Sequence, residues 1–519
     1  MNLKKYLSIG SAIILISICG CNDFLDLAPD NRTEINDENL AQLLVSGYAN
    51  RNALIMTEMM SDNVDHFPDA GVTAFALLQE QMWEWADIKE EGNESPKAVW
   101  ERWYIAIAVA NSALDYIASQ GNPKRLDAQR AEALLCRALH HFFLVNVFSK
   151  HYSDLTSTTD LGIPYMDKPE VTVLPQYERG TVAEVYQKIN DDIETALPLV
   201  DDNLYTQPKF HFNTKAAYAF ATRFNLYYRK YDKVIEYAQR VLTDNPASVL
   251  RDVRSFLNFE QSCQPLANEY VKPSQNANLL LMTLYSTAGT VMGNYGTGKK
   301  YMHSTNLSVQ ETYRSSAPWG ASSTTMYWMW SGSYATGYLA VPRVPYMFEY
   351  SDRVAGIGWT RTVFPVFQSD ETLLCRAEAY ILKQDYVNAL KDMNLWVSNH
   401  TRAGTPLTLE NINEYFNDRD YYTPQWPTNK KHLNPDFTIA NDGYQENLLH
   451  CLLHMRRVLT LHEGLRWYDV KRYGIVIYRR TYDRTNTMTV SDELTVNDPR
   501  RAIQLPYNVL VAGMAPNPR

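Results

Sequence analysis

The chain has 519 residues, 45% hydrophobic and 21% charged, so it can bury a large core without disulfide staples. That content excludes a disordered chain, and 22 Gly with 24 Pro exclude a collagen-like or low-complexity one. A net charge of −9 speaks against nucleic-acid binding, while Tyr 35 and Trp 11 against Phe 17 give a surplus of aromatics with a polar handle.

Lys4 and Lys5 precede an apolar run over residues 6–18, which meets Ile18-Cys19-Gly20-Cys21. A basic start, an apolar stretch too short for a bilayer and small residues at the cut describe a cleaved signal over 1–20. The alternative is an uncleaved membrane anchor. Ile-Cys-Gly-Cys looks like a bacterial lipobox, in which Cys21 is acylated and becomes the mature N-terminus. Two or three acyl chains would then hold it stably on a membrane.

Helical periodicity dominates 36–249 and returns over 370–475. The spacing predicts helices over 100–117, 128–148, 181–197, 214–229, 232–242, 372–383, 386–397 and 448–462. Thr181 and Glu184 form a capping-box pattern. The pairs joined at Lys230-Tyr231-Asp232 and Lys383-Gln384-Asp385 have turns short enough to force antiparallel neighbours. Such units resemble tetratricopeptide repeats; an ordinary irregular helical bundle is the alternative. Cys136, Cys263, Cys375 and Cys451 are far apart with no CxxC pair, and free buried thiols are expected.

The segment 250–361 breaks this regime. Over 285–350 there are 13 aromatics in 66 residues and only six charged side chains. No helical stripe persists, so the prediction is irregular loops with short strands and brief helical turns. Long irregular segments inside a compact protein are usually functional.

Sugar rings present apolar C–H faces and hydroxyls, so a sugar site needs flat aromatic surfaces beside hydrogen-bonding groups. Trp83 and Trp85 lie in Gln81-Met-Trp-Glu-Trp-Ala-Asp87, a stretch rich in polar neighbours. Tyr295, Tyr301, Tyr313, Trp319, Tyr327, Trp328 and Trp330 fall in the irregular segment. Packing is the ordinary role of any one of them; as a cluster they read as a platform.

Other motifs carry less. Gly293 to Lys300 nearly spells a phosphate-binding loop, but Lys300 stands where a Ser or Thr would hold magnesium. His450 and His454 share a helical face without a third ligand, so core packing is expected, as for His140 and His141. There is no Gly-x-Ser-x-Gly elbow, and nothing singles out a carboxylate pair for glycoside hydrolysis. No cofactor or metal is expected.

Several stretches in order carry a family resemblance. Cys21-Asn-Asp-Phe-Leu-Asp-Leu-Ala-Pro resembles the lipidated start of SusD/RagB-type lipoproteins of Bacteroidota. Trp100-Glu-Arg-Trp-Tyr, Arg130-Ala-Glu-Ala-Leu-Leu-Cys-Arg-Ala with Gly162-Ile-Pro-Tyr165, Thr181-Val-Ala-Glu-Val-Tyr and Thr214-Lys-Ala-Ala-Tyr-Ala look like the family's helical signatures. Arg376-Ala-Glu-Ala-Tyr and Glu463-Gly-Leu-Arg-Trp-Tyr-Asp-Val-Lys-Arg-Tyr-Gly474 are similar to its C-terminal half. The chain departs from the family at its end, closing on Ala515-Pro-Asn-Pro-Arg519 rather than Asn-Pro-Gly-Tyr.

The resemblance implies one domain over 21–519 with an all-α fold. Tetratricopeptide-like helix pairs form the scaffold (36–249 and 370–475), minor short strands accompany them, and a loop-rich ligand face comes from the inserted segment 250–361. It implies a non-catalytic lipoprotein on the outer-membrane surface, anchored through Cys21 and seated on a SusC-like TonB-dependent transporter. Its ligand would be a glycan or, in some members, a peptide; a surface glycosidase is the rival reading. The implied ligand residues are Trp83, Trp85, Tyr295, Tyr301, Trp319, Trp328 and Trp330.

Overall fold

The computed structural model describes residues 35–70, 76–170, 177–293, 300–320, 326–327 and 337–519; the leader 1–20 and Cys21 lie outside them. In chain order, helix α1 (Leu54–Met60) and strand β1 (Asp65–His66) precede three long helices, α2 (Pro96–Ser119), α3 (Asp127–Phe148) and α4 (Val182–Ala196). Then come α5 (Thr214–Tyr227), α6 (Tyr231–Leu242), β2 (Asn278–Tyr285), β3 (Tyr301–Met302), α7 (Thr305–Glu311), β4 (Met347–Asp352) and β5 (Ile357–Gln368). The rest comprises α8 (Ser369–Leu382), α9 (Tyr386–His400), α10 (Gln445–Leu459), α11 (Arg466–Arg472), β6 (Ile477–Tyr482) and β7 (Met488–Leu494). The fold is helix-rich with few strands.

The helices begin where the sequence supplies caps. Ser95 accepts from the Ala98 amide at 3.2 Å, with Pro96 at the first helical position, where its missing N–H costs nothing. The capping box at α4 forms as predicted: Glu184 N–H donates to Thr181 Oγ1 (3.2 Å) and Thr181 N–H to Glu184 Oε2 (2.8 Å). The pairs α5–α6 and α8–α9 close with the same turn. Arg229 (φ 61°) and Gln384 (φ 60°) take the left-handed conformation, and the next amides bond back to Asn225 O and Tyr380 O at 2.9 Å. Helix α8 is the centre of this layer, packed on α5, α6, α9 and α10 and buried along almost its whole length.

Two sheets flank the helices. Strands β2, β5 and β4 form an antiparallel sheet in the order β2-β5-β4, lying on α5. The second has the order β3-β1-β6-β7 and draws strands from three distant parts of the chain. The prediction of only short strands within 250–361 needs correction: β2 has eight residues and β5 twelve. Leu279 to Met282 are all buried, so the run lacks the alternation that marks a half-exposed strand. All four described cysteines are buried and unpaired, as expected.

A buried ionic knot joins these parts. Arg466 holds Asp62 with two bonds, Nε to Oδ1 (2.8 Å) and Nη2 to Oδ2 (2.9 Å). Lys431 bridges Asp62 (2.8 Å) and Glu311 (2.9 Å), Arg457 reaches Glu311 (3.1 Å), and Arg480 binds Asp65 (2.9 Å). Burial alone would raise the Asp62 carboxyl, but Arg457, Arg466 and Lys431 hold it well below the usual carboxylate range. The same opposition, with Lys431 as the largest favourable charge, brings Glu311 down to about 2.

The stretch 463–474 supplies much of this framework. Glu463 accepts from Tyr270 (2.8 Å) and Gln368 (3.0 Å), Asp469 accepts from Arg456 (3.2 Å), and Tyr473 donates to Glu378 (2.7 Å). Gly464 (φ 72°) sits so close to α1 that a Cβ would lie 2.4 Å from Thr57 Oγ1. Lys471 donates to the Asn146 and Ser149 carbonyls at 2.7 and 2.6 Å, tying the end of α3. Desolvation, reinforced by Arg501, pushes its ammonium down to about 7.

Two expectations follow. Asp62→Ala strands Arg466 without its carboxylate, leaves Lys431 and Arg457 with the Glu311 carboxylate alone, and should lower urea-denaturation stability by about 3–5 kcal/mol. Between pH 7 and 10.5 the unfolded chain holds a proton on Lys471 that the folded chain has released. Stability from this residue therefore rises with pH, and the advantage of wild type over Lys471→Met should widen across that window in urea titrations.

Candidate ligand-binding face

The aromatics nominated from sequence fall into three groups. Tyr295, Trp328 and Trp330 lie outside the described residues. Trp83, Trp85 and Tyr301 gather beside the second sheet. Trp319 lies elsewhere, stacked on His454 (5.2 Å between ring centroids) and edge-on to Trp396 (5.4 Å).

All four described residues are buried, at 2–4% exposure, so they do not form an open platform in this structure. Arg479 explains the first cluster. Its guanidinium donates to the Met59, Met60 and Ser61 carbonyls, satisfying the end of α1, and among the described residues no carboxylate is bonded to it. Trp85 covers it at 3.7 Å and Trp83 at 5.2 Å, so the indoles solvate a buried cation by their faces. Trp85 also donates from Nε1 to Met60 O (2.8 Å). The polar neighbours that suggested a wet surface include Glu84, which points outward while both indoles turn in. Tyr301 stacks on His66 (4.8 Å, 10°), which also contacts Trp83 (5.0 Å). Burial, with the Lys300 charge, lowers His66 to about 4.

This cluster lies where several chain segments meet. Strands β1 and β3 pair Asp65 with Met302 and His66 with Tyr301, and Phe67 N–H donates to Lys300 O (2.7 Å). Tyr338 donates to Gly293 O (2.6 Å), while Thr305 N–H donates to Gly337 O (2.6 Å). Phe67 and Ala70 pack against Met302 and Tyr338. The described residues flanking 71–75 and 294–299, and the C-terminal flank of 328–336, thus share one corner of the fold. Tyr313 is buried and donates to Tyr327 O (3.1 Å).

Exposed aromatics that the sequence reading missed stand elsewhere. Tyr350 (52%) and Trp359 (56%) rise on the β4–β5 hairpin, and Trp426 is 78% exposed. The signal for the hairpin was the alternation from Gly358 to Val363 after a Gly356 turn. Two hollows are also present. One of about 370 Å³ lies between α2 and residues 508–514, lined by Trp100, Tyr104, Ile107 and Met514. A larger one of about 720 Å³ opens between residues 45–50, α2 and β2, with Tyr48, Arg102, Tyr285 and Arg361 in its wall.

The histidines weighed as metal ligands have other work. His140 bonds Cys136 O (2.7 Å) and accepts from Ala49 N–H (3.2 Å); His141 bonds Arg137 O (2.9 Å) and accepts from Met166 N–H (3.0 Å). His454 lies within bonding distance of Ser315 and Asn429, both 3.1 Å, and His450 sits 3.7 Å from Glu446. Among the described residues no three His, Cys, Asp or Glu side chains stand together to hold a metal ion.

Comparison with known proteins gives the fold its kin. Residues 23–226 match the family model SusD-like_3, described as starch-binding and associating with the outer membrane. That N-terminal part of the chain is similar to SusD-like proteins. The chain's fold is similar to that of a SusD superfamily protein from Bacteroides thetaiotaomicron VPI-5482 (18% identity, TM-score 0.63), covering 93% of this chain and 98% of that one. It is also similar to a SusD superfamily protein from Bacteroides vulgatus ATCC 8482 (18% identity, TM-score 0.63, 93% and 98% covered). A SusD-like carbohydrate binding protein from the same strain matches with 13% identity, TM-score 0.61, and 92% and 96% covered. No curated protein matches by sequence.

Because Trp319 fills core volume, Trp319→Ala should destabilise the chain by about 3–5 kcal/mol in urea denaturation. Trp359→Ala, on the exposed hairpin, should change stability by no more than about 0.5 kcal/mol.

Proposed function

We propose that the chain binds glycans at the cell surface without cleaving them and delivers them to a SusC-like TonB-dependent transporter. Acylated Cys21 would hold it on the outer membrane. The observation that carries this reading is the SusD-like fold together with one corner where the flanks of 294–299 meet the C-terminal flank of 328–336. Those segments carry Tyr295, Trp328 and Trp330, which are the residues proposed to stack on sugar rings. The shared turn geometry of α5–α6 and α8–α9 supports a tetratricopeptide-like scaffold, suited to docking on a barrel.

A binding role also fits the buried acids. Asp62 and Glu311 are held ionised by arginine and lysine partners, so neither can deliver the proton that glycoside cleavage needs. A SusD-like carbohydrate binding protein with the same fold supports a saccharide over a peptide.

The test is calorimetric titration of a polysaccharide panel into wild type, Trp328→Ala, Trp330→Ala and Tyr295→Ala. At least two of the variants should lose affinity about tenfold or more while circular dichroism stays unchanged. Unchanged affinity in all three would move the site; peptides bound in place of glycans, or new reducing ends over time, would overturn the glycan or binding-only reading respectively.

A further inference from the structure

The 720 Å³ hollow has a charge pattern at odds with the rest of the molecule. Among the described residues no Asp or Glu lines it, although the chain carries a net charge of −9; the buried Glu132 lies behind the wall, bonded to Tyr48 (2.6 Å) and His211 (2.7 Å). Tyr285, at the end of β2, is flanked by two guanidinium groups, Arg361 at 4.5 Å and Arg51 at 4.9 Å from its ring centre. Arg361 is the register partner of Tyr285 across β2 and β5, and the Tyr285 amide donates to Asn50 O (3.0 Å). This arrangement is held by backbone pairing rather than by chance side-chain placement.

The arginines are short of carboxylates. Arg51 donates to Asn50 O (2.9 Å), Asn50 Oδ1 (3.1 Å) and Asn93 Oδ1 (2.9 Å), all neutral acceptors. Arg361 pairs with Glu349 on the neighbouring strand. Arg102 is exposed on α2 and makes no hydrogen bond or ion pair among the described residues. Glu94 is buried nearby but is committed to the Thr287 amide (2.6 Å). Burial and then the Arg102 charge are the largest causes lowering the Arg51 guanidinium, with Arg361 acting in the same direction. The three cations repel one another, and the two nearby carboxylates are already engaged, Glu94 with the Thr287 amide and Glu349 with Arg361, so a bound anion would relieve the repulsion.

The remaining wall suits a sugar. Gln207, Thr283 and the Tyr285 hydroxyl offer hydrogen bonds, while Ile105 and Phe210 offer apolar contact for C–H faces. We infer that this groove binds an acidic saccharide, with the carboxylate of a uronic-acid-type ring held by Arg102 and Arg361. A guanidinium fork matches a planar carboxylate in two bonds, which a neutral sugar cannot exploit. The choice of a saccharide among anions rests on the glycan-binding reading above.

The test is calorimetric titration of the intact mature chain with oligogalacturonate, neutral dextran and polyglutamate at low and high salt. Oligogalacturonate should bind at low salt and more weakly at high salt. Arg102→Gln, an exposed change that leaves the fold alone, and Arg361→Gln should each weaken it about tenfold or more. Trp328→Ala should leave this interaction in place. Absent oligogalacturonate binding, or wild-type affinity in both arginine variants, overturns the inference while leaving neutral-glycan binding to be judged on its own titration. Polyglutamate binding of equal strength with the same arginine dependence also overturns it, since the groove would then read charge and not sugar.

Discussion

Asp62, Asp65 and Glu311, held among Lys431, Arg457, Arg466 and Arg480, are the constraint on which the architecture turns. Bulk stability comes from the apolar helix layers, since burying ions is costly and their attraction mainly offsets that cost. What the knot adds is selectivity. Each carboxylate needs partners more than a hundred residues away, so β1, α7, α10, α11 and β6 can meet in only one register. That register brings residues 65–70, 293, 300 and 337 to the same corner, and so fixes where the aromatic-rich segments leave the scaffold.

The helices were legible in the sequence because their signals are local. Apolar spacing, the Thr181–Glu184 box and the turns around Arg229 and Gln384 each act within a few residues. The strand β2 was less legible, because burial on both faces erases alternation. The strongest C-terminal signature, 463–474, was visible as a motif, but its physical meaning was not. Glu463, Gly464, Arg466, Asp469, Lys471 and Tyr473 are structural partners to residues far away in sequence, and such pairings leave no local trace.

The tryptophans show the limit most clearly. Trp83 ends a short helix, Ala76–Trp83, and Trp85 follows it; their polar neighbours include the exposed Glu84, while both rings turn in to cover Arg479. Composition registers the polar neighbours and misses the cation underneath. Trp319 likewise belongs to a buried stack with His454 and Trp396. The aromatic surplus is thus divided between rings that pack buried arginines and histidines and rings proposed to meet ligand. The arginine-lined groove was invisible for the same reason: the β2–β5 register joins Tyr285 to Arg361, a backbone bond to Asn50 brings Arg51, and α2 brings Arg102.

The central proposal is that a scaffold of SusD-like fold presents a glycan-binding face that does not cleave its ligand. Affinity electrophoresis through gels cast with neutral and acidic polysaccharides tests it most directly. The account predicts that at least one polysaccharide retards the wild-type chain while its own polymer length stays constant over the run. Unretarded migration in every gel, or progressive shortening of a polysaccharide, would contradict it.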